Sequence, residues 1–210
     1  TNFSVNRIYP FKRKSALGGE KWFEKIGVSY QNNFQNNILT KDTLLFKEDD
    51  QFRYGMSHSI PISTSAKVLK YFTLSPSFTY NERWYPETIR KAYDNDAGTV
   101  LTDTVKGFRA ARDFQMSASM NTRLYGMVQF NKGKIAAIRH VVSPTVSFGY
   151  RPDFSSGSFN SYKNYTDATG ESVSYSIYQN GIFGGPPSGK YGALGFAIDN
   201  NLEMKVRQQT

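Results

Sequence analysis

Phe108–Leu124, FRAARDFQMSASMNTRL, is the stretch whose reading decides the fold. Taken at every second residue from Phe108, it is apolar at seven of nine positions, and the interleaved set from Arg109 to Arg123 is apolar at one of eight, Ala111. A period of two is the signature of a β-strand, because successive Cβ atoms point to opposite faces of the pleat. One face therefore meets an oily phase and the other a wet one. Strands of globular proteins usually stop at about 5 or 6 residues, whereas one crossing a bilayer needs roughly 9 to 11. This one has membrane length. The same residues wound as a helix would gather Phe108, Ala111, Arg112 and Gln115 on one side, which buries nothing coherent.

The pattern repeats on both sides of that stretch. Asn2–Tyr9 alternates around Phe3 and Val5, and Trp22–Phe34 sets Trp22, Ile26, Val28, Tyr30 and Phe34 against polar neighbours, with Glu24 as the exception. Phe52–Ala66 and Phe72–Tyr85 alternate in turn and read as a hairpin closed near Lys67–Tyr71. Ile138–Arg151 and Leu194–Val206 follow the same rule. Between the strands, long polar loops are expected near residues 35–51, 86–106 and 152–191, with SVSYSIYQNGIF in the last as either a short strand or an ordered loop. Short and long connections alternate, and aromatics such as Trp22, Tyr71, Trp84, Phe108 and Tyr125 collect near strand ends, as in the girdles of outer-membrane barrels. The fold class is all-β: an antiparallel transmembrane β-barrel. Residues 1–210 are expected to form part of one such domain, about seven or eight long strands of a larger barrel, because seven strong strands leave edges that a membrane does not tolerate.

Composition agrees. The 210 residues are 39% hydrophobic with a mean hydropathy of −0.53, and no run is long and apolar enough for a transmembrane helix. A barrel shows only alternate residues to lipid, so its average looks soluble. The absence of cysteine excludes disulfides and thiolate metal sites within this chain. The formal net charge of +9 points to an anionic partner. Arg53, Arg83, Arg109, Arg123, Arg139, Arg151, Lys205 and Arg207 all share the parity of the Ser, Thr and Asn rows, with Asp113, Asp199 and Glu203 as counterweights. If that face lines the lumen, the lumen is basic and suits anionic cargo. Nucleic acid is not expected, since the basic residues are spread over every strand and no recognition helix occurs.

Other candidate motifs carry less. GGPPSGK at Gly184–Lys190 imitates a phosphate loop, but Tyr191 replaces the required hydroxyl and Pro186 and Pro187 lack N–H groups, so a rigid surface loop is expected. DNDAG at Asp94–Gly98 reads as a turn, and no cofactor or metal is expected. His58 and His140, the two histidines, fall on the apolar parity; a membrane hydrolase could use one, but no nucleophile elbow accompanies them, and a structural role is expected. Asp42-Thr43-Leu44 and Asp103-Thr104-Val105 resemble an O-glycosylation triplet in expected outer loops, and Asn164-Tyr165-Thr166 fits the N-glycosylation triplet. Pro61, Pro76 and Pro144 cannot donate to a sheet ladder and are each expected to mark a weakened pairing or a bulge. Two of them open related phrases, LSPSFTY and VSPTVSFGY, an internal repeat of about 68 residues from Pro76 to Pro144.

The phrases SIPIS and LSPSF, in SHSIPISTSAKVLKYFTLSPSFTYNERWY, and GGPPSGK, in GIFGGPPSGKYGALGFAIDNNLEMKV, together with FSVNRIYPFKRK and AIRHVVSPTVSFGYRPDF, resemble the barrel region of LptD/OstA-like lipopolysaccharide-assembly proteins, in the divergent form without the better-known cysteine pattern. The resemblance covers most of the chain, least in Pro86–Val105. It implies an outer-membrane translocon of a gram-negative bacterium, not an enzyme, which receives lipopolysaccharide from a periplasmic transport bridge and inserts it into the outer leaflet. A plug lipoprotein (LptE-like) inside the barrel and the surrounding outer-membrane lipids are the further partners it implies. The alternative is a porin or uptake channel for anionic solutes.

Overall fold

A computed structural model describes residues 1–14, 18–38 and 52–207. It is built from strands, with two short 3₁₀ turns as its only described helical pieces. The main strands are β1 (Asn2–Ile8), β2 (Gly27–Ile38), β3 (Phe52–Ser63), β4 (Ala66–Val68), β5 (Phe72–Asp94), β6 (Thr99–Asn121), β7 (Leu124–Gln129), β8 (Ile135–Arg151) and, after a small hairpin β9 (Tyr162–Thr166) and β10 (Ser172–Ser176), β11 (Tyr191–Val206). Hydrogen bonding runs β1-β2-β3-β5-β6-β8-β11, every neighbour antiparallel, with β4 on β5 and β7 on β8. This is the up-and-down meander of a barrel, not closed within these residues.

Register makes two apparent breaks into one phenomenon. Ser63 faces Ser77 and Ala66 faces Leu74, so β3 and β4 are one strand in unbroken register. Asn121 faces Thr145 and Leu124 faces Val142, so β6 and β7 are another. Each gap lies opposite a proline. Thr64 N donates to the carbonyl of Pro76 at 3.2 Å and Thr122 N to that of Pro144 at 3.3 Å, while the return bond is missing for want of a proline N–H. Both threonines also donate their hydroxyls onward, Thr64 to Trp22 O at 3.2 Å and Thr122 to Tyr71 O at 2.8 Å. The repeat in the sequence is thus a repeated half-rung in the sheet. At Pro61 the β2–β3 ladder passes from Val28↔Ile62 directly to Gln31↔Ser59, omitting the positions opposite Pro61 and Ile60. None of the three sites is a bulge, because the register does not shift there.

Three expectations need correction. Residues 86–106 are not a loop: β5 continues to Asp94, β6 begins at Thr99, and only the Asp94–Gly98 turn joins them, its Asp94 Oδ1 accepting from Asp96 N at 2.9 Å. Alternation fades in that extension because it records a one-sided oily environment, and a hairpin standing clear of the hydrocarbon has none. The fold corrects the parity there as well, through a bulge opposite Pro86 between Tyr85 and Glu87, with Gly107 at φ 137°. Thr104 accordingly lies within a strand, and Thr43 lies outside the described residues, as do residues 39–51 of the first expected loop. Trp22–Lys25 forms a 3₁₀ turn rather than strand. Glu24, the residue that broke the alternation, is the reason: 2% exposed, it accepts from Lys21 N at 2.6 Å and from Arg13 Nε at 2.5 Å and Nη2 at 3.0 Å.

Candidate functional site

The register sorts the side chains into two faces. From β2 to β11, up to the bulge opposite Pro86, even-numbered residues form the apolar one, for example the row Ile62↔Phe78↔Met116↔Tyr150, and in β1 Phe3 and Val5 join it. Odd-numbered residues form the other, with rows Ser77↔Ser117↔Gly149↔Ala193 and Ser75↔Ser119↔Ser147↔Gly195. The odd face is therefore a lane of small hydroxyl, glycine and alanine positions, and Ser77 and Ser117 hydroxyls meet across it at 2.6 Å. Such a floor offers hydrogen bonds and little bulk.

All eight expected basic residues belong to this odd face, but they are not gathered at one point. Arg83, above the serine lane, is tied to the buried carboxylate of Asp113 at 2.5 Å, which also accepts from Asn81 Nδ2 at 2.9 Å. A carboxylate this dry needs its partners. Arg139 stands 3.7 Å from Glu203 on the neighbouring strand, and Arg207 reaches the carbonyls of Gly133 and Phe130 at the opposite end of the sheet. Arg151 lies over the Tyr191 ring, 5.8 Å from its centroid. Arg53 lines a cleft with Glu87, Thr88 and Asn180. Arg109, Arg123 and Lys205 are exposed and have no ion-pair partner among the described residues. Fourteen residue steps separate Arg109 from Arg123 along β6–β7, roughly 46 Å of strand.

Most of the connection from Pro152 to Lys190 folds onto this same face, while its Phe154 packs edge-on against Phe114 of the even face, ring centroids 5.5 Å apart. Its Tyr175, Ile177 and Tyr178, with Tyr165, Ile182 and Phe183, pack against Tyr85, Ile89 and Ala111 to make the buried core of the molecule. Tyr85 is the anchor: its hydroxyl donates to Gly184 O at 2.7 Å and accepts from Phe183 N at 3.2 Å. Ile89 N donates to Ile177 O at 3.0 Å, and Tyr178 OH to Ala110 O at 3.1 Å, so the connection bridges both strands of the β5–β6 hairpin. Its base is fixed by Asp153, which accepts from Ser155 N and Oγ and from Gly189 N at 2.8 Å; these donors hold its carboxyl below the usual range. GGPPSGK is part of this scaffold, with Tyr162 OH donating to the buried Pro186 carbonyl at 2.8 Å. The sequence reading missed these anchors. The signal was Ala111, the one apolar intruder on the polar parity of the deciding stretch, and it is fully buried.

The histidines part company. His58 is buried on the apolar face, its Nδ1 2.7 Å from Tyr30 OH and 3.2 Å from Asn32 Nδ2, whereas His140 is exposed with Nε2 3.2 Å from Asn200 Oδ1.

A family model described as LptD protein matches residues 1–210. The chain belongs to the LptD family. Family membership brings lipopolysaccharide transport and assembly at the outer membrane at the level of the family, a transport role rather than an enzymatic one. No curated protein and no solved structure matches the chain. The LptD-type sheet thus carries one apolar face, one small-polar face with basic residues toward both ends, and an ordered connection seated on the latter.

Proposed function

We propose that this chain forms part of the wall through which lipopolysaccharide passes to be inserted into the outer leaflet of the outer membrane. Its odd-numbered face looks inward on the cargo path and its even-numbered face outward on lipid. The observation that carries the reading is the segregation of Arg53, Arg83, Arg109, Arg123, Arg139, Arg151, Lys205 and Arg207 with the serine lane on one side of an antiparallel membrane sheet. Phosphorylated cargo moving along that lane meets exposed positive charge near both mouths, at Arg109 and Arg123, and small hydroxylated residues between, which hold it weakly enough to let it leave. The Ile38 end of β2, the Phe52 start of β3, the connection 152–190 and the β5–β6 turn lie at one end of the meander, which faces the cell exterior. Lipopolysaccharide arrives from a periplasmic bridge at the other end, and a plug lipoprotein occupies the space that the serine lane leaves free.

The test is the double variant Arg109→Glu with Arg123→Glu in the full-length protein. Surface lipopolysaccharide, measured by its accessibility to an outer-leaflet modifying enzyme, should fall several-fold while the barrel stays folded by heat-modifiable gel migration. Normal delivery by that variant would reduce the basic rows to solvated surface.

A further inference from the structure

The apolar face holds one row that does not belong there. Asn32, His58, Glu82 and Arg112 lie directly opposite one another on four successive strands, all even-numbered. Glu82 is the centre of this row: Oε2 accepts from Tyr80 OH at 2.5 Å and lies 3.4 Å from Arg112 Nε, and Oε1 accepts from Trp84 Nε1 at 2.8 Å. Both carboxylate oxygens are thereby engaged, and Arg112 is held at its Nε. The Arg112 side chain is 63% exposed, so most of its fork of N–H donors stays open to the surface. His58 packs at a tilt on Trp84 with ring centroids 4.2 Å apart, and its buried Nε2 has no partner among the described residues.

The depth of the row decides what meets it. Ten residue steps separate Phe72, at the foot of β5, from Glu82. That is roughly 33 Å of strand, or about 25 Å of height at a barrel's usual tilt, the full height of an apolar band. The row therefore sits at the upper boundary of the hydrocarbon, where lipid phosphates lie. Below it the wall is Phe78 and Met116, with Phe114 covered edge-on by Phe154 of the following connection, ring centroids 5.5 Å apart. Above it Phe34, Tyr54, Met56, Trp84, Pro86 and Phe108 line an open groove of about 310 Å³.

We propose that this outer wall binds a phosphorylated glycolipid of the outer leaflet. Arg112 receives a phosphate, the acyl chains descend over Phe78 and Met116, and a sugar rests in the aromatic groove above. The order of the three surfaces along the wall, apolar, cationic, then aromatic, matches the order of the three parts of such a lipid, and a guanidinium with an open fork recognises phosphate in a way that a zwitterionic phospholipid's single shielded phosphate exploits less well. The site is on the opposite face from the cargo lane. It rests on the proposed orientation, with the long-connection end outside.

Trp84 borders both the row and the groove, so the part of the tryptophan emission that is lost in Trp84→Phe reports on this site. Full-length protein and its Trp84→Phe form in phosphatidylethanolamine nanodiscs would each be titrated with lipid A and with enzymatically dephosphorylated lipid A, and the difference between the two emissions taken. Lipid A should shift Trp84 emission, the dephosphorylated form should bind about tenfold more weakly, and Arg112→Gln should weaken lipid A binding by about the same factor, with Arg112→Lys falling between. Arg109→Glu with Arg123→Glu, on the other face, should leave this titration unchanged. Equal affinity for the two probes, or parental affinity in folded Arg112→Gln and Arg112→Lys proteins, would overturn the proposal. Those results leave the transport reading standing, because it is tested by delivery and on the opposite face.

Discussion

Replacing Tyr85 by Phe removes one oxygen from the point where the Pro152–Lys190 connection is fastened to the sheet. The ring is 2% exposed and packs on Tyr178 with centroids 5.5 Å apart, so Phe keeps the packing. What goes is a pair of hydrogen bonds, to Gly184 O at 2.7 Å and from Phe183 N at 3.2 Å. At about 1 kcal/mol each, the loss is about 2 kcal/mol, or a thirtyfold rise in the open population of the fastened segment. Because the β5–β6 ladder contributes none of these bonds, the effect should be local. Hydrogen exchange followed by mass spectrometry on the folded barrel reads this directly. Peptides covering residues 177–184 should exchange about thirtyfold faster, and peptides of β5 and β6 below Tyr85 should not change. Unaltered exchange at 177–184 would refute the anchoring role of Tyr85, and equal acceleration throughout β5 would show that the connection supports the sheet rather than resting on it.

Two further outcomes follow from local chemistry. Arg13, and then the Lys21 N–H, hold the Glu24 carboxyl down to about 2 from an ordinary value near 4.5, so its contribution is whole above about pH 4.5 and is lost as pH falls toward 2; protection of the Trp22–Lys25 amides, taken relative to their intrinsic exchange rates at each pH, should fall across that window and stay flat in Glu24→Gln. Pro144→Val supplies the N–H missing opposite Thr122, which should add a protected amide at position 144 and slow exchange at Thr122 by about fivefold, worth about 1 kcal/mol; a freely exchanging amide at 144 would mean that the strands do not close there.

Much of the fold was legible because a membrane sheet writes its environment in parity. Wherever one face meets lipid and the other water, strand and facing could be read residue by residue, and the register puts Arg53, Arg83, Arg109, Arg139, Arg151 and Lys205 on the face of the serine rows. The reading failed where that contrast vanishes, in Pro86–Lys106 and in the connection after Arg151, whose structure depends on contacts nearly 100 residues away, such as Tyr85 with Gly184. Three residues that break parity were the informative ones. Glu24 marked a 3₁₀ corner, Ala111 the seat of the folded-over connection, and Arg112 a polar row on the oily wall. What hid their meaning is that a single intruder tells where a rule is broken, whereas its partners, Arg13, Tyr178 and Glu82, come from other segments.

The bridging of β5 and β6 by the connection also sets an order of assembly. Neighbouring strands of a meander close small chain loops and can zip in sequence, whereas the Tyr85–Gly184 bond closes one of 99 residues and the Tyr178–Ala110 bond one of 68. These are the slowest contacts to find and depend on β5, β6 and β8 already standing side by side. The connection is therefore the last part of the described chain to lock, and its protection from exchange is a clock for the completion of folding.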